Sequence, residues 1–91
     1  MDIIGQIIRR NRLKHGYSIR GFAKKIKTSG TYLYLIEKDS KTLPSLKTIT
    51  KLSKSLDIPL PVVKRGFFIR GVTNKEIELL IKYNINRREV V

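Results

Sequence analysis

Thr31, Tyr34, Leu35 and Lys38 fall together on one side of a helix at 100° per residue, while Leu33 and Ile36 point the opposite way. A hydroxyl can bond a base edge, an apolar side chain can touch a thymine methyl, and an ammonium can reach phosphate. That set suits the major groove of DNA better than plain solvent. The competing reading is that Tyr34 and Leu35 pack on a neighbouring helix. Gly30, without a side chain, lets the backbone approach a ligand closely. Tyr32 lies on the flank, where it either contacts DNA or shields the core. Thr28 and Ser29, on the entry to this helix, join the same DNA-facing set.

Enzyme chemistry has little to work with. His15 is the single histidine, and its place near the end of the first helix favours a capping role. The carboxylates are scattered, none beside a candidate nucleophile, and there is no glycine-rich phosphate loop or metal-ligand cluster. The expectation is a non-enzyme with no cofactor and no metal. The absence of cysteine excludes disulfides and thiolate metal sites.

The charge points to a polyanion. Twenty Lys and Arg against seven Asp and Glu leave a net charge of +13 over 91 residues. Each neutralised phosphate releases condensed counterions, so such an excess favours nucleic acid or an anionic surface. Hydrophobic residues make up 41% of the chain and recur periodically, which excludes a purely basic disordered tail. No apolar run approaches the roughly 18 residues needed to span a bilayer. A soluble cytoplasmic protein without a membrane partner is expected.

The elements that must position the reading face are helical throughout. Ile3, Ile4, Ile7 and Ile8 open a first helix that Gly16 ends. Ser18 is placed to cap a short second helix carrying Ile19, Phe22, Ala23 and Ile26. Lys27–Thr28–Ser29 breaks it from a third helix ending near Lys38. Pro44–Ser45 starts a fourth, with Leu46, Ile49, Leu52 and Leu56, which Asp57–Ile58–Pro59 ends. Two short helices joined by a tight turn and flanked by two more are the layout of a helix-turn-helix domain. Beyond it, Pro59, Pro61 and Gly66 argue against a long helix, and Gly71 splits the remainder. Thr73 and Glu76 form a T-x-x-E capping box, predicting a final helix over about 74–85.

From Ile4 to Leu60 the chain resembles the Cro/C1 (Xre-type) helix-turn-helix domain. The residues that carry this are Gly5, Ile8-Arg9, Arg12, Gly16-Tyr17-Ser18, Phe22-Ala23, the Tyr32-Leu33…Ile36-Glu37 run, Pro44-Ser45-Leu46 and Leu52-Ser53…Leu56-Asp57-Ile58. The resemblance implies an all-α, four- to five-helix lambda-repressor-like fold. It implies base reading by Gly30, Thr31 and Leu35, with Tyr32 and Tyr34 beside them. Phosphate contacts would fall near Ser18, Arg20, Lys38 and Lys41, and Arg12 and Glu37 would form a structural ion pair tying the first helix to the third. Two departures stand out. Ile19 replaces a frequent glutamine, so the phosphate clamp there is either weaker or passes to Arg20. Lys27 replaces the usual turn glycine, at a cost on the order of 1 kcal/mol if held left-handed.

Within that family the chain is most similar to the Sin-type repressors of Gram-positive bacteria. The similarity rests on Ile4-Gly5-Gln6, Lys14-His15-Gly16-Tyr17-Ser18, Thr31-Tyr32-Leu33 and Ile36-Glu37…Thr42-Leu43-Pro44-Ser45. Gly71-Val72-Thr73-Asn74-Lys75 with Ile77, Leu80-Ile81 and Tyr83 looks like the Sin multimerisation hook. The expected organisation is therefore a DNA-binding domain at residues 1–59 and a helical tail at 60–91. Exposed, the tail's apolar residues would form a patch larger than a soluble monomer usually shows. Val63, Phe67, Phe68, Ile77, Leu80 and Ile81 are the expected dimerisation residues, with folding back on the same domain as the alternative. The expected function is a dimeric repressor reading a palindromic operator. The alternative is an interaction protein whose tail captures another regulator, such as a helical antirepressor.

Overall fold

The computed structural model describes residues 2–90, with the side chains of Ile77, Leu80 and residues 83–90 outside that description. Five helices follow one another: α1 (Ile3–Lys14), α2 (Ile19–Lys25), α3 (Gly30–Lys38), α4 (Leu46–Leu56) and α5 (Leu60–Val90). The fold is all-α, as expected. None of these helices is long and apolar enough to cross a membrane among the described residues.

The first four helices begin where a short polar side chain can satisfy an orphan backbone N–H. Asp2 accepts from the Gly5 amide, Ser18 from Gly21, Ser29 from Tyr32 and Ser45 from Thr48, at 3.0–3.2 Å. Each such cap is worth about 1 kcal/mol. Left-handed residues stand at or just beyond the ends of α1, α2 and α4, whereas α3 ends on the extended Asp39. Gly16 follows α1 with φ 78° and Asp57 closes α4 with φ 54°. Lys27 takes φ 57° in the turn between α2 and α3. His15 caps α1, its Nδ1 2.8 Å from the Asn11 carbonyl oxygen.

The core gathers Ile4 and Ile8 from α1, Phe22, Ala23 and Ile26 around α2, Leu33 and Ile36 from α3, and Ile49, Leu52 and Leu56 from α4. Helices α1 and α3 come together at Gly5. A Cβ there would lie 2.3 Å from the Glu37 carbonyl oxygen, so only glycine lets the two backbones meet.

The C-terminal third departs from the sequence expectation. Residues 60–90 form one 31-residue helix with no break at Gly71. Pro61 sits in the first turn, where its missing N–H has no intrahelical partner to lose. Gly66 faces α1, where a Cβ would lie 2.6 Å from the Ile4 side chain; it is a contact residue, not a helix stop. Two interior glycines cost roughly 1 kcal/mol each in propensity, and burial of the helix against the bundle offsets that cost. The Thr73–Glu76 pair consequently lies inside a helix and has no start to cap.

Val63 and Phe67 are therefore not dimerisation residues. They are 0% and 3% exposed and belong to the same core as Phe22 and Leu52. The hydrophobic core continues past residue 59 into the first turns of α5, because α4 and α1 leave an apolar cleft that this segment fills. Phe68 and Ile81 stay largely exposed. Ile77 and Leu80 lie outside the described side chains.

Candidate nucleic-acid interface

Helix α3 presents two unlike faces. Leu33 and Ile36 are fully buried beneath α1 and α2, and they fix the rotation of the helix about its axis. The opposite side then shows Thr31, Tyr34, Leu35 and Lys38 to solvent, with Tyr34 51% and Leu35 37% exposed. Tyr34 is thus half covered and Leu35 about two-thirds covered by the rest of the protein, and both keep part of the side chain in solvent. Tyr32 is half-buried and packs against the core, with the rest of its side chain in solvent. Gly30 has room for a side chain, since a Cβ would meet only Ile19 at 3.8 Å. Nothing inside the protein requires glycine there.

Ser18 and Ser29 both use the hydroxyl oxygen to accept a backbone N–H. Their hydroxyl protons remain available to donate outward, so capping and a phosphate contact are compatible. Both caps are exposed, as is Arg20, while Thr28 is half-buried. Ile19, at the departure from the usual glutamine, packs partly on the core. Lys41 is exposed in the α3–α4 loop, and its backbone N–H donates to Asp39 at 3.0 Å. That bond and the Thr42 hydroxyl hold the Asp39 carboxyl below its ordinary pKa. The loop carrying Lys41 is thereby ordered by its own side chains.

Two buried arginines hold this surface in place. Arg12 on α1 forks onto Glu37 on α3, with Nε–Oε2 2.7 Å and Nη2–Oε1 3.1 Å, and its Nη1 donates to the Tyr17 carbonyl at 2.7 Å. Both side chains are at most 6% exposed. A fork of this kind fixes orientation as well as distance.

The second arginine, Arg70 on α5, has no counterpart in the sequence expectations. Its Nε and Nη2 bond the two carboxylate oxygens of Asp2. Nη2 also donates to the Ile36 carbonyl at 2.8 Å, and Nη1 to the Thr42 carbonyl at 2.7 Å. Its guanidinium lies over the Phe67 ring, 5.0 Å from the centroid. One side chain thus joins the start of α1, the last turn of α3 and the loop before α4. Hydrogen bonding from Arg70, ahead of that from the Gly5 amide, holds the Asp2 carboxyl below its ordinary pKa despite partial burial. The sequence did carry a signal: Arg70 stands seven residues after Val63 and three after Phe67, which places a charge on the apolar face of a helix.

A helix-turn-helix family model matches residues 8–63, which span α1 to the first turn of α5. The transcriptional regulator SinR of Bacillus subtilis is 38% identical over 56 residues, covering 62% of this chain and 50% of SinR. SlrR of the same organism is 40% identical over 58 residues, covering 64% of this chain and 38% of SlrR. The chain thus spans about half the length of the curated relatives it matches. Among solved structures, a chain of a SinR protein/SinI protein complex superposes with a TM-score of 0.61 at 24% identity. It covers 96% of this chain and 99% of that one, a likeness of fold. With the buried core, the capped α2–α3 pair and the matched segment in agreement, the chain belongs to the Cro/C1-type helix-turn-helix family of transcriptional regulators, close to the Sin-type repressors.

Proposed function

We propose that the protein binds double-stranded DNA and represses transcription, reading base edges through the outer face of α3 and gripping phosphates around it. The observation that carries this is the pair Tyr34 and Leu35, large side chains left exposed beside Thr31 and Lys38 on a helix whose other face is fully buried. Ser18, Arg20, Thr28, Ser29, Gly30 and Lys41 frame that face, and a net charge of +13 supplies the attraction. Specificity on this reading comes from methyl contacts and DNA shape, because the face lacks long amide or guanidinium side chains.

Alanine at Thr31, Tyr34 or Leu35 should weaken binding to a selected site by about 1–3 kcal/mol per lost base contact and leave binding to random duplex nearly unchanged. Lys38→Ala should weaken both and flatten the dependence of log K on log salt by about one unit. Site selection from random DNA followed by titration measures both effects. Equal losses on selected and random duplex for the three α3 variants would remove the reading role.

Dimerisation belongs on the outer side of α5. Phe68, Val72 and Leu79 recur at i, i+4 and i+11 and so share one side, opposite Val63 and turned away from Phe67. Phe68 is 71% and Leu79 58% exposed. Pairing this stripe with that of a second copy would create a two-fold dimer matched to a palindromic operator. Phe68→Glu with Leu79→Glu should convert a dimer to a monomer in sedimentation and leave the fold intact. A dimer that survives both changes would place the interface elsewhere. The second reading, capture of another regulator by the tail, draws support from the structural neighbour, a SinR protein/SinI protein complex. It uses the same stripe.

A further inference from the structure

The end of α2 meets α4 in a groove lined by Lys25, Ile26, Lys27, Lys47, Lys51 and Ser55, with a volume of about 340 Å3. Four of the six are lysines and none is acidic. Lys51 is committed inside the protein, where its Nζ donates to the Ile26 carbonyl at 3.0 Å and caps α2. The Lys25 ammonium lies 5.6 Å from the Tyr17 ring centroid. Lys27 and Lys47 take part in none of the ion pairs among the described residues. Gathering like charges on a strongly cationic chain opposes folding.

Lys27 adds a second, independent cost. Its φ of 57° lies in the left-handed region, where a side chain costs roughly 1–2 kcal/mol that glycine avoids. Strain held at one turn is a pointer to function when the side chain has no internal role. The position is also well chosen for one. Lys27 immediately precedes Thr28 and Ser29, and so stands beside the N-terminus of α3, the end of a recognition helix that enters the groove. Lys47, in the first turn of α4, faces it across the cleft.

We propose that this lysine groove seats backbone phosphates of duplex DNA beyond those reached by α3, extending the contact along one groove wall. The proposal rests on the DNA-binding reading above. Lys25, Lys27 and Lys47 would be the phosphate ligands, with Lys51 positioning the cleft by capping α2.

The test uses the full chain and a 30-base-pair duplex of random sequence, titrated between 50 and 200 mM salt. Lys27→Gly removes the charge and the strain together, so it should raise the melting midpoint while reducing the salt slope by about 0.9. The triple variant Lys25→Gln, Lys27→Gly, Lys47→Gln should lose about 2.7 of slope, so the wild type weakens roughly 40-fold more than the variant across that range. A charge-matched control, Lys14→Gln, Lys64→Gln, Lys82→Gln, should keep the wild-type slope. An unchanged slope in the folded triple variant, or an equal loss in the control, overturns the groove alone. Failure of the wild type to bind the duplex at 50 mM salt overturns the DNA-binding reading itself.

Discussion

Replacing Glu37 by alanine should lower the thermal midpoint by about 12 °C or more. Glu37 is 1% exposed and its two carboxylate oxygens are both engaged by Arg12, itself 5% exposed. Removing the carboxylate leaves a buried guanidinium charge that keeps its bond to the Tyr17 carbonyl and has no counter-charge. Breaking a buried pair from one side typically costs about 3–5 kcal/mol, and in a domain of this size each kcal/mol moves the midpoint by about 4–8 °C. Total stability of a small domain is only about 5–15 kcal/mol, so this one change consumes a large share. Arg12→Met with Glu37→Leu is the informative contrast. Removing both charges together should restore much of the midpoint, short of the hydrogen bond to Tyr17, because no ion is left unpaired. A Glu37→Ala protein that melts within about 4 °C of wild type would show that Arg12 finds water or another partner. Calorimetry or helical circular dichroism reads all three.

Arg70→Ala should be as damaging, for a different reason. The arginine satisfies three separate acceptors at once: the Asp2 carboxylate, the Ile36 carbonyl and the Thr42 carbonyl. Hydrogen bonds from a charged donor contribute about 1.5–3 kcal/mol each. The Asp2 carboxylate is a quarter exposed and recovers some of its loss from water. The Ile36 carbonyl lies in the interior and recovers less. An expected loss of about 3–5 kcal/mol follows. Arg70→Lys should rescue little, since one ammonium cannot reproduce a fork that spans a carboxylate and two carbonyls. The readouts are the melting midpoint and amide exchange in the last turn of α3 and the α3–α4 loop, which should quicken together. Exchange that quickens in α5 alone would mean that the arginine holds α5 without ordering α3.

The two arginines explain what kind of scaffold the proposed reading face needs. Base recognition tolerates little rotation of the helix that performs it. Leu33 and Ile36 set that rotation through burial, Arg12 fixes the far end of α3 against α1, and Arg70 fixes the same end against α5. A tail expected to dimerise, with folding back on the same domain as the alternative, is thus tied through Arg70 to α1, α3 and the α3–α4 loop.

Much of this was legible in the residues themselves. Local chemistry decides local structure, so Ser18, Ser29 and Ser45 mark three helix starts, and Gly16 and Asp57 fall at two helix ends. The 3.6-residue period separates Leu33 and Ile36 from Thr31, Tyr34, Leu35 and Lys38 without any knowledge of neighbours. The resemblance to the Cro/C1-type family marks Lys27 as standing where glycine is usual, and the structure holds it left-handed at φ 57°.

The tertiary structure decided what local signals cannot carry. Gly66 and Gly71 read as breaks because propensity is local, whereas Gly66 is there to let α5 cross Ile4, sixty-two residues earlier in the chain. Val63 and Phe67 look like a spare apolar face until α1 and α4 are seen to leave a cleft for them. Arg70 reads as one more basic residue in a basic chain, because its partners are brought to it only by folding. The candidate reading face could therefore be placed from periodicity alone. Its anchoring, and the continuity of the tail with the core, depend on contacts between distant segments, whose free energy no local pattern records.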